Sequence, residues 1–113
     1  MKVMQRGIMR ILPGKMPETM ELLDKYMAIV SRLAEIPRDK LPMKAYIPFV
    51  GGGDSLHTII FEVEWDSFSA MAAFFEKAMA DPEIQASMPK WEAVEQSHEV
   101  ELYMAMPMPQ KQG

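Results

Sequence analysis

Twice in this chain a run of residues that alternates in character gives way to a stripe repeating every three or four residues. In Leu56–Trp65, LHTIIFEVEW, the residues His57, Ile59, Phe61 and Val63 fall on one side and Thr58, Ile60, Glu62 and Glu64 on the other. A period of two is that of a strand with differing faces. Asp66 or Ser67 then stands where a helix cap is needed, and Phe68, Met71, Ala72, Phe75, Ala78 and Met79 follow a helical stripe. The earlier instance is Val3–Leu12, which mixes Val, Ile and Met with alternating Arg and is stopped by Pro13-Gly14. After it, from Pro17, Met20, Leu23, Met27, Val30 and Ala34 line one side of a helix of about five turns, with Glu18, Glu21, Asp24, Lys25 and Arg32 turned elsewhere.

Ile36–Pro42 reads as a linker, and Met43–Val50 as a second strand. Pro48 cannot donate to a ladder, which makes that strand an edge strand or a bulged one. Asp81-Pro82 ends the second helix and supplies the cap and first residue of a short new one, and Met88-Pro89 repeats the device before Trp91 and Val94. The last strand is expected over His98–Met106, with Val100, Leu102, Met104 and Met106 opposed to Glu99, Glu101 and Tyr103. The order β-α-β-β-α-β predicts an α+β, ferredoxin-like domain with a four-stranded antiparallel sheet, its first strand running between the third and fourth. A length of 113 residues suits one core, so residues 1–106 are taken as a single domain and 107–113 as a disordered tail.

A net charge of −4 with no basic block speaks against nucleic acid as a partner. No apolar run approaches the roughly 20 residues that span a bilayer, and Met1–Arg6 lacks the apolar region of a signal peptide, so no membrane partner and a cytoplasmic location are expected. The absence of cysteine excludes disulfides, thiolate metal sites and thiol nucleophiles. Neither metal nor cofactor is expected. Val50-Gly-Gly-Gly-Asp-Ser55 is followed by a strand instead of a helix and matches no phosphate-loop spacing, so the glycines are read as a hairpin turn. His57 and His98 lack metal-ligand spacing and are read as structural. Ser55, His57 and Asp54 are too close along a turn and strand to face one another as a catalytic triad. Met104-Ala-Met-Pro-Met108 offers thioethers that a soft cation would accept, but Met104 and Met106 continue the apolar parity of Val100 and Leu102 and are read as core.

With the apolar strand faces under the helices, parity assigns the other face to Arg6 and Arg10 of strand one, Lys44 and Tyr46 of strand two, Glu62 and Glu64 of strand three, and Glu101 and Tyr103 of strand four. Left open to water, this is a surface of charge pairs, each worth at most about 1 kcal/mol. Covered by a second subunit, it becomes a cavity with perturbed titrations, and these eight residues become candidates for a ligand site.

The element order, Pro13-Gly14-Lys15 after strand one, the passage Glu64-Trp-Asp-Ser-Phe68, and Asp81-Pro-Glu83 followed by Trp91 resemble the dimeric α+β-barrel superfamily over about residues 3–106. Within it the chain is most similar to NIPSNAP-type proteins, which are related to antibiotic-biosynthesis-monooxygenase-type domains. The resemblance implies a homodimer whose two sheets face one another as a barrel, with a small apolar or aromatic molecule bound in its cavity. A cofactor-independent oxygenase or isomerase is one form this takes; a non-catalytic dimeric structural or interaction module is the alternative. The haem-degrading branch uses an Asn on strand one with a Trp and a His on or after the second helix. Gln5, a phenylalanine near Phe75, and Met88 stand there in this chain, so that chemistry is not implied.

Overall fold

The computed structural model describes residues 1–50 and 56–109. Four strands, β1 (Val3–Ile11), β2 (Met43–Tyr46), β3 (Thr58–Trp65) and β4 (Glu95–Met104), form one antiparallel sheet in the order β2-β3-β1-β4. The first strand is therefore central, as its place in the sequence order requires. Three helices, α1 (Met16–Ala34), α2 (Phe68–Met79) and α3 (Pro82–Glu92), accompany the sheet, and a 3-10 turn occupies Arg38–Lys40 within the linker.

Local chemistry explains the helix boundaries. Ser67, not Asp66, caps α2, its Oγ accepting the Ala70 N–H at 3.0 Å. Asp81 caps α3 by accepting from the Glu83 and Ile84 amides at 3.1 and 3.2 Å, with Pro82 filling the first position where a missing N–H costs nothing. The carboxylate of Asp81 also receives the Arg32 guanidinium at 3.0 Å to both oxygens, which clamps the last turn of α1 onto the start of α3. α1 ends with Glu35 in the left-handed region at φ 56°, where Gly is the usual residue. The amides of Glu35 and Ile36 reach back to the Arg32 and Ser31 carbonyls, and Lys77 of α2 donates to the Leu33 carbonyl at 2.6 Å.

Burial divides into two clusters. Met9, Ile11 and Ile59 lie between sheet and helices with Met16, Phe61 and Trp91 packed around them. Ile29, Leu33, Ala78 and Ile84 join the helices to one another, flanked by Tyr26 and Phe74. Gly7 lets His98 approach closely: a Cβ there would stand 3.2 Å from its Nε2, so the ring would have to give way.

Several sequence expectations need correction. β2 stops at Tyr46, ahead of Pro48, because the missing N–H cannot continue the ladder to β3. α3 runs through Pro89 instead of restarting there; a single proline removes one helical donor, and the flanking turns hold. β4 begins at Glu95, after a register shift at Arg10/Ile11, and ends at Met104. The buried stripe of α2 is Met71 and Ala78 with half-buried Phe74, while Phe68 and Met79 are exposed, as is Met20 of α1. Met104 and Met106 are exposed as well, because the helices leave the far end of β4 uncovered. The glycine turn lies outside the described residues, as do positions 110–113 of the tail.

Ile11 is fully buried, so Ile11→Ala is expected to lower stability by about 2–5 kcal/mol, read from denaturant unfolding. Burial opposes ionisation of Asp81, but the Arg32 hydrogen bonds and the Ile84 and Glu83 amides outweigh it and hold its carboxyl below the usual value. A lowered carboxyl stabilises the fold above about pH 4 and stops doing so as pH falls through its folded value. Asp81→Asn should therefore melt below the wild type at pH 7, with the gap closing on acidification; a gap that widens in acid would contradict this.

Candidate functional site

Because β1 pairs on both sides, each of its even-numbered residues heads a row across the sheet on the face away from the helices. Arg6 lies opposite Glu62 of β3 and Glu101 of β4, and Glu62 lies opposite Lys44 of β2. The row Lys44–Glu62–Arg6–Glu101 thus alternates in sign across all four strands. Ile8 heads the next row, Tyr46–Ile60–Ile8–Glu99, and Met4 the row Glu64–Met4–Tyr103. Arg10 lies opposite Thr58 and Ser97. All eight residues singled out by parity share this face. Parity set Ile60 and Glu99 on this side from the sequence without making them candidates, and the same parity places Met4 and Ile8 there too.

Arg10 donates to Glu99 at 3.2 Å, and Lys2 donates to Glu64 at 2.8 Å, both pairs well exposed. The hydrogen bond and charge of Lys2 hold the Glu64 carboxyl below its usual value. Tyr103 is shifted the other way: its hydrogen bond to the Glu101 carboxylate, then partial burial, raise its phenol above the usual value against a smaller opposing pull from Arg6. Arg6 is half-buried, and its Nε is enclosed with no hydrogen-bond partner among the described residues. A buried N–H without an acceptor is costly, so the centre of the face is short of an acceptor. The alternating charge row therefore crosses the face between Met4 on one side and Ile8 with Ile60 on the other, with the two phenols, Tyr103 and Tyr46, in those flanking rows.

In a single chain this face is a surface. Two clefts, of about 340 Å³ between α1 and the β2 side of the sheet and about 490 Å³ between α1 and α3, lie on the helix side. The remaining sequence candidates separate from the face. Gln5 sits on the helix side and accepts from Trp65 Nε1 at 3.0 Å. His98 lies over Gly7 on the helix side, and the His57 carbonyl accepts the Ile11 amide. The triad reading rests on Asp54 and Ser55, which lie outside the described residues. Among the described residues no three His, Asp or Glu are gathered as a metal site would need, and no helix is long and apolar enough to cross a membrane.

No protein-family model and no curated protein matches the chain. Solved structures do. A NIPSNAP family protein from Agrobacterium tumefaciens superposes with a TM-score of 0.77 at 20% identity, over 96% of this chain and 89% of that one. An uncharacterized NIPSNAP domain protein from Burkholderia xenovorans gives 0.68 at 22% identity, over 98% and 100% of the two chains. SnoaB, a cofactor-independent oxygenase from Streptomyces nogalater, gives 0.61 at 14% identity, over 95% of each chain. The chain thus has the ferredoxin-like α+β fold of NIPSNAP-type proteins, related to that of the monooxygenase-type domains, as the resemblance implied.

If the Glu101 carboxylate holds the Tyr103 phenol up, Glu101→Gln should lower the Tyr103 pKa toward about 10 and leave Tyr26, which burial alone raises, where it is. Titration of the tyrosine ring carbons by NMR checks this. An unmoved Tyr103 would remove Glu101 as the cause.

Proposed function

We propose that two copies of this chain bring their open sheet faces together and that the space between them binds a small apolar or aromatic molecule bearing an acidic group. The observation that carries this reading is the face itself. An arginine N–H lacking an acceptor at the centre, flanked by apolar Met4, Ile8 and Ile60 and by Tyr46 and Tyr103, suits a ligand with one anionic end.

The outer strand supports the dimer. β4 is ten residues long and its outer edge is unpaired in the sheet. An open edge strand of that length favours association, and a symmetric second copy can protect it. Within the enclosed face Arg6 or Arg10 anchors the acidic group. Tyr103, a phenol protonated at neutral pH, is the proton donor, and Glu62 is the base, since Glu64 is committed to Lys2. That division of labour fits cofactor-independent oxygenation by dioxygen or an isomerisation, and SnoaB shows that a protein of this fold carries out cofactor-independent oxygenation. The second reading, a dimeric interaction module without chemistry, uses the same charges only as pairs across the interface.

Native mass spectrometry of freshly purified protein tests the proposal. The expected result is a dimer carrying an additional small mass, with Arg6→Ala losing that mass and keeping the dimer. A bare dimer that Arg6→Ala loosens, with a lower melting temperature, would favour the interaction module. A monomer would overturn both readings.

A further inference from the structure

A second place on the molecule, on the opposite side of the sheet from the open face, has the make-up of a ligand site. The cleft of about 490 Å³ between α1 and α3 falls in the size range of small-molecule pockets. Leu22, Ile29 and Tyr26 supply its apolar lining, and Ala28 and Ala86 keep its walls low. The two helices run antiparallel along it, because Arg32 near the end of α1 meets Asp81 and Glu83 at the start of α3, while Tyr26 meets Trp91 ring to ring at 6.1 Å.

This arrangement polarises the cleft. At one end the Arg32 charge is cancelled by Asp81 and Glu83, at 3.0 and 3.1 Å. Lys25 lies seven residues before Arg32 and Lys90 seven after Glu83, so both lysines line the other end, one from each wall, about 10 Å away at 1.5 Å per residue. Neither lysine has a carboxylate partner among the described residues, in a chain whose net charge is −4. Two unpaired cations held across an apolar cleft repel one another until an anion comes between them. We infer that the α1–α3 groove binds a small amphipathic anion, with its carboxylate or sulfonate between Lys25 and Lys90 and an apolar body about 10 Å long lying over Ala28 and Ala86 toward Arg32.

The groove is independent of the open face, and fluorescence titration separates them. The probes are 8-anilinonaphthalene-1-sulfonate, an amphipathic anion, and N-phenyl-1-naphthylamine, its neutral counterpart. Saturable binding of the anion is expected, weakened by added salt. The double variant Lys25→Ala/Lys90→Ala should weaken the anionic probe about tenfold, abolish its salt dependence, and leave the neutral probe unchanged. Ala86→Trp should fill the groove and weaken both probes, and the lysine dependence should persist in an Arg6→Ala background, which removes any anion held in the proposed open-face cavity. Absent binding, an anion affinity indifferent to the lysines, or an equal loss of both probes in the lysine variant would overturn the inference. Loss of the anionic probe with Arg6→Ala instead would place it on the open face and overturn the inference too, while leaving the proposed cavity standing.

Discussion

Everything in this fold hangs on the two-sided pairing of β1. As the central strand it sets the register of both β3 and β4, and its odd residues, Val3, Met9 and Ile11, supply buried apolar surface against the helices. Side chains alternate strictly along a strand, so the same pairing that buries those residues must turn Met4, Arg6, Ile8 and Arg10 to the other side. The charge ladder is thus a by-product of core register. A slip of one residue would bury two arginines beneath the helices and expose the core, which is why the open face has one defined composition. Gly7 serves the same strand by letting the His98 ring approach β1 more closely than a Cβ allows without movement.

The helix layer depends on a different residue. Asp81 accepts from the first amides of α3 and from Arg32 of α1, so one carboxylate starts a helix and fixes its neighbour's direction. The antiparallel setting of α1 and α3 follows, and with it the placing of Lys25 and Lys90 on facing walls of one cleft, although they are 65 positions apart in the numbering. The second buried cluster, Ile29, Leu33, Ala78 and Ile84, fills the space this clamp defines. Sheet and helix layer are therefore specified by separate features, one a periodicity and the other a single ionic cap.

That distinction explains what could be read from the sequence. Periodicity is local, so element order, the central place of β1 and the shared face of Arg6, Arg10, Lys44, Tyr46, Glu62, Glu64, Glu101 and Tyr103 were legible from alternation and turn residues alone. Caps are nearly as local, and Asp81-Pro82 announced the start of α3. Coverage is not local. Whether Phe68, Met79, Met104 or Met106 is buried depends on where a helix from elsewhere in the chain lies, and an apolar side chain looks the same in either case. Pro89 misled for a related reason: a proline costs one helical bond, and surrounding packing decides whether the helix continues. The left-handed Glu35 carried no signal at all, since Gly or Asn is the residue that ordinarily marks such a position. The α1–α3 groove escaped notice because neither helix shows it alone.

The composition of the open face also limits what it could enclose if covered. A row of one sign would resist burial strongly, because desolvation of each charge would add to mutual repulsion. The row Lys44–Glu62–Arg6–Glu101 alternates instead, with neighbours at the strand spacing of about 4.8 Å, so each charge already has a partner of opposite sign beside it. A second subunit laid over such a row meets no net field. A guest molecule then finds Lys2 and Arg10 engaged with Glu64 and Glu99, with the unpaired Nε of Arg6 as the point still short of an acceptor and Met4, Ile8 and Ile60 as the surface on which apolar area can be gained. A multiply charged guest would set its further charges against like charges in the same row. A mainly apolar one with a single acceptor does not, and on the proposed reading that asymmetry, not the mere presence of arginine, is what would select it.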